Sequence, residues 1–107
     1  MRPSEIRKFS YLLKHVNLSP NAVQEFSEGM EWSDIPFPNL KSVETERYPD
    51  RTGGDYLIFV KTPDKDPTWM ELLILVDELV GRSGDTHHRY FEEFEYQDDR
   101  LKVGLGS

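Results

Sequence analysis

Between Pro67 and Arg82 the apolar residues Trp69, Leu72, Leu73, Val76, Leu79 and Val80 recur every three or four positions, the longest periodic stretch in the chain. That spacing predicts a helix over Pro67–Arg82 with a broad apolar stripe, which something else in the molecule has to cover. Asp66-Pro67 offers a cap and a first helical residue, and Gly84 can supply a left-handed end. Met70 and Ile74 widen the apolar surface beyond one stripe, which predicts neighbours on more than one side of this helix.

Two shorter helices precede it. Ile6, Phe9, Leu13 and Val16 are spaced by three and four, predicting an amphipathic helix from Ser4 to about Val16. Ser19-Pro20 is a helix start, Gly29 a helix end, and Val23 and Phe26 the residues that Pro20–Glu28 would bury. From Met30 to Asn39, Pro36 and Pro38 forbid both a helix interior and a central strand, so this stretch reads as an extended connector packed by its aromatics.

The remaining segments read as strands. Leu40–Tyr48 alternates loosely and is polar, as an edge strand is. Tyr56–Val60 is continuously apolar, as a strand covered on both faces is. The turn formers from Pro49 to Gly54 join the two as a hairpin with a long tip. His87–Gln97 alternates, with Tyr90, Glu92, Phe94 and Tyr96 on one face, and Asp98-Asp99-Arg100 returns the chain into Leu101–Leu105. Sequential strands joined by tight turns pair antiparallel. The expected fold class is α+β: a four-stranded, mostly antiparallel sheet in ββαββ order, with two N-terminal helices and one long helix packed on a face. It forms a single domain over residues 1–107.

Thirteen basic residues against 20 acidic ones leave a net charge of −7, and the bases are scattered singly. Such a surface repels phosphate backbones and anionic headgroups, so neither direct nucleic-acid binding nor membrane binding is expected. The chain has no cysteine, which removes disulfides, thiol nucleophiles and thiolate metal sites. Lys8, Lys14 and His15 interrupt the N-terminal segment, and no run reaches the roughly 18 apolar residues of a membrane span. The expected compartment is the cytoplasm.

Positions that could carry chemistry are few. His87-His88 concentrates titratable nitrogen, but adjacent strand residues point to opposite faces and neither His-x-His nor His-x-x-x-His spacing occurs. The pair is a weak metal or acid–base candidate, set against a plain strand start. Asp50-Arg51-Thr52-Gly53-Gly54-Asp55 has two glycines but no Gly-Lys-Ser or Gly-Lys-Thr, so it reads as a hairpin tip rather than a phosphate loop. Asp64-Lys65-Asp66-Pro67 sets a lysine between its acids and does not follow the calcium-loop pattern. Trp32 and Trp69 sit among apolar residues and read as core. No cofactor is implied, and no serine or threonine stands in a nucleophile elbow.

The acidic, tyrosine-bearing C-terminal hairpin remains. Tyr90, Glu92, Glu93, Glu95, Tyr96 and Asp98 are the candidate partner-binding residues of a non-catalytic protein-binding module that engages a basic partner. The bland reading is a solvated edge made negative for solubility. The rival function is a small enzyme or metal-dependent domain using His87 or His88 with nearby carboxylates. A third reading is a homodimer that buries part of the Pro67–Arg82 helix.

Overall fold

The computed structural model describes residues 1–47, 57–84 and 88–106. Its elements are α1 (Pro3–Leu12), β1 (Asn17–Leu18), α2 (Pro20–Ser27), β2 (Ser42–Arg47), β3 (Leu57–Lys61), α3 (Trp69–Ser83), β4 (Tyr90–Gln97) and β5 (Arg100–Gly106). The class is α+β, as the sequence predicts. The sheet differs in detail: it has five strands, ordered β1-β4-β5-β2-β3, and it is mixed.

Two features escape the four-stranded expectation. The pair Asn17–Leu18, too short to register as a strand in the sequence, runs parallel to β4 opposite Tyr90 and Phe91. The two hairpins, β2–β3 and β4–β5, are antiparallel, but they join through a parallel pair in which Val43 lies opposite Leu101. The α3 crossover between the hairpins permits this parallel contact, which a tight turn could not.

The parallel join also reverses the expected order of the first hairpin. The polar arm, β2, is interior, flanked by β5 and β3, and it buries Val43 and Thr45. The apolar arm, β3, is the sheet edge, with Leu57, Ile58 and Val60 exposed. Continuous apolar character therefore did not mean two covered faces here. The hairpin tip at residues 50–55 lies outside the described residues.

All three helices cover one face. Trp69 of α3 and Phe26 of α2 both meet Phe94, with ring centroids 6.0 and 5.7 Å apart, and Phe26 also meets Phe91 at 6.2 Å. Trp69, Leu72, Leu73, Val76, Leu79 and Val80 are all buried, so the predicted stripe is the core face of α3. Each such side chain contributes about 1.5–3 kcal/mol by leaving water. Met70 and Ile74, by contrast, stay exposed, so the wider apolar surface predicted for α3 is not covered among the described residues. Trp32 is half-buried against Phe9 at 5.0 Å.

Two helix ends fall where the sequence reading does not put them, the start of α3 and the end of α1. The cap of α3 is Thr68, whose hydroxyl accepts from the Glu71 N–H while the Thr68 N–H donates to the Glu71 carboxylate. Asp66 instead accepts from the Asn39 N–H at 2.9 Å. Gly84 ends the helix with φ +67. Helix α1 stops at Leu12, short of Val16, because the carboxylate of Asp77 takes the N–H groups of Lys14 (3.1 Å), His15 (2.7 Å) and Val16 (2.8 Å). That one buried acceptor turns the chain from α1 into β1.

Candidate functional site

With the helices on one side, the other side of the sheet is bare of helices among the described residues, and strand parity decides what stands on it. Residues opposite one another in adjacent strands share a face. Glu44 and Glu46 of β2 lie opposite Val60 and Ile58 of β3, Glu44 also opposite Lys102 of β5, and Lys102 opposite Glu95 of β4. Their neighbours Val43, Leu101 and Phe94 are buried beneath the helices, so this set occupies the helix-free face.

In β4 a bulge between Phe91 and Glu93 resets the alternation. Without it Phe91 and Phe94, an odd number of positions apart, would point to opposite faces. With it both rings are buried, 4.6 Å apart, and Glu92 and Glu93 both stand on the bare side. There they lie over Gly106 and Gly104 respectively, in the space that a side chain at either glycine would need. Tyr90, opposite Gly106, shares this face and is 54% exposed.

The structure therefore gathers Tyr90, Glu92, Glu93 and Glu95 and separates Tyr96 from them. Tyr96 lies opposite Leu101 on the helix side, stacked on Phe37 at 5.0 Å, and its hydroxyl donates to Asp99 at 2.8 Å. That hydrogen bond to a carboxylate pushes the phenol up from its ordinary range. Asp98 sits in the tight turn after β4, where both it and Asp99 take positive φ, +55 and +61. The single aromatic face expected for this strand is thus divided: Phe94 and Tyr96 face the helices, Tyr90 and Glu92 face away.

Four further residues belong to the face: Glu44, Glu46, Arg100 and Lys102. The alternation Val43-Glu44-Thr45-Glu46 signals that the two glutamates share a side. Nothing in the sequence places β2 beside β5. Lys102 is ion-paired with Glu46, and that bond holds its ammonium above the usual lysine range. Lys41, Arg100 and Lys102 face Glu44, Glu95 and Asp98 across an open concavity of about 550 Å³. Five glutamates against two bases on the strands leave the face negative, with the positive charge confined to the end near the β4–β5 turn.

His87 lies outside the described residues, and His88 is exposed just before β4. Among the described residues no group of three or more His, Cys, Asp or Glu is placed to hold a metal ion, and no helix is long and apolar enough to cross a membrane. The chain matches no protein-family model, no curated protein and no solved structure.

Proposed function

We propose that the chain is a non-catalytic protein-binding module whose helix-free sheet face docks a basic protein partner in the cytoplasm. The observation that carries this reading is the placement of Glu44, Glu46, Glu92, Glu93 and Glu95, with Tyr90, on the one face that no helix covers. A core needs only one face of such a sheet, so the opposite face is free to be built for something else. Carboxylates on a rigid sheet give a partner's lysines and arginines a fixed pattern to meet, and the net charge of −7 draws such a partner in from a distance. Tyr90 adds the amphipathic ring that interfaces favour.

The test is capture of proteins from a lysate of cells that make this protein, using the wild type and a Glu93→Lys, Glu95→Lys variant as baits at low and high salt. A stoichiometric basic protein held by the wild type at low salt, released at high salt and absent from the variant supports the reading. Binding that ignores both salt and charge reversal sinks it.

A further inference from the structure

We infer that the outer edge of β4, beyond the end of β1, takes an extended segment of the basic partner as an added strand; this rests on the acidic-face reading and gives it a docking geometry. Strand β4 runs from Tyr90 to Gln97, but β1 pairs with only Tyr90 and Phe91. After Leu18 the chain leaves the sheet, because Ser19-Pro20 starts α2. Residues 92–97 therefore have β5 on one side and, among the described residues, no strand on the other.

Backbone groups face out along this edge. Asp98 and Asp99 both take positive φ, the two-residue turn that closes on a hydrogen-bonded pair, here Gln97 and Arg100. Pairs alternate from there, so Gln97 and Glu95 turn their N–H and C=O toward β5, while Tyr96 and Phe94 turn theirs outward. No backbone group of the described residues takes them. Glu93, Glu95, Tyr96 and Gln97 are exposed. A row of unmet backbone donors and acceptors is a template for one more strand.

Side chains select the occupant. Glu93 and Glu95 stand on the helix-free side of this edge, and among the described residues neither forms an ion pair. A second copy would bring its own glutamates against them, and like charges on neighbouring strands repel. A basic strand meets opposite charge instead. Parity then fixes the pattern of the segment: lysine or arginine at alternate positions, on the side of Glu93 and Glu95, with apolar residues between them on the side of Phe94 and Tyr96.

Amide hydrogen exchange of the purified chain, read residue by residue by NMR with and without the peptide acetyl-Lys-Val-Lys-Val-Lys-amide, tests this. The expected result is slowed exchange at the Phe94 and Tyr96 N–H groups. Methylating the valine nitrogens of the peptide removes donors and leaves every charge in place, and should weaken binding at least about tenfold. Glu93→Lys with Glu95→Lys replaces exposed side chains, so it should abolish the protection while keeping circular dichroism and melting. A peptide that shifts Glu44 and Glu46, protects neither Phe94 nor Tyr96 and ignores methylation overturns the edge and leaves the acidic face standing. A peptide that does not bind overturns the edge as well, and the lysate capture then decides the face on its own.

Discussion

The imidazole of His15 fills the space beside Gly81 of α3 that a β-carbon there would need, its Cδ2 standing 2.5 Å from the position such a carbon would take. Glycine inside a helix costs about 1 kcal/mol relative to alanine, so Gly81→Ala would ordinarily stabilise. Here the gain is set against displacement of the ring. Gly81→Ala is expected to add about 1 kcal/mol in a His15→Ala background and clearly less in the wild type. A double-mutant cycle by urea denaturation measures the difference.

Asp77 fastens the same junction from below. Its buried carboxylate is the acceptor for three successive backbone N–H groups, so Asp77→Ala leaves three donors without it. The expected loss is about 3 kcal/mol, since hydrogen bonds to a charged acceptor are stronger than neutral ones and unmet buried donors are costly. Asp77→Asn keeps one carbonyl oxygen and should lose less. Denaturant midpoints of the two variants check the order.

Removal of the cap at the start of α3 has a pH signature. Thr68→Ala should cost about 1 kcal/mol. The Glu71 carboxyl is held below its ordinary range, first by the Thr68 backbone N–H and then by Lys65 and the Thr68 hydroxyl. A carboxylate whose pKa falls on folding stabilises above its unfolded pKa, and the effect is lost as pH drops through the folded value. Glu71→Gln should therefore melt below the wild type at neutral pH, and the gap should close on acidification. Thermal melts from neutral to acidic pH measure it.

Phe94 touches Trp69, Phe26, Phe37 and Phe91, and so ties α3, α2 and the connector to the sheet. Phe94→Ala is expected to cost about 3–5 kcal/mol. Tyr96→Phe, which keeps the ring on Phe37 and loses only an exposed hydroxyl, should cost under about 1 kcal/mol. Parallel urea titrations of the two variants separate the buried side of β4 from its exposed end.

What the sequence makes legible is what local chemistry determines. The stripe of α3, the start of α2 at Pro20 and the turn at Asp98-Asp99 each depend on residues within a few positions of one another. What it hides depends on partners far along the chain. Ser42–Arg47 looks like an edge because it is polar, but β5 and β3 flank it. Helix α1 carries its period on to Val16, but a carboxylate more than sixty residues away takes the N–H groups that the helix would have used. The candidate site divides the same way. Glu92, Glu93 and Glu95 are visible as a cluster, but the bulge that puts Glu92 beside Glu93, and the neighbouring strand that adds Glu44 and Glu46, are not.

The parallel contact of Val43 with Leu101 bears on how the molecule assembles in time. Each hairpin can close early, because its arms are near in sequence, whereas the join between them has to bring together residues from opposite halves of the chain. Helix α2 can cover Phe91 and Phe94 without the first hairpin, but Val43 and Leu101 meet only when the two hairpins join. Closure of that central seam is therefore the step expected to be slow. Truncations at Val43 or Leu101 should retard refolding in stopped-flow more than truncations of equal size at Val103, whose β4 neighbour is only a turn away.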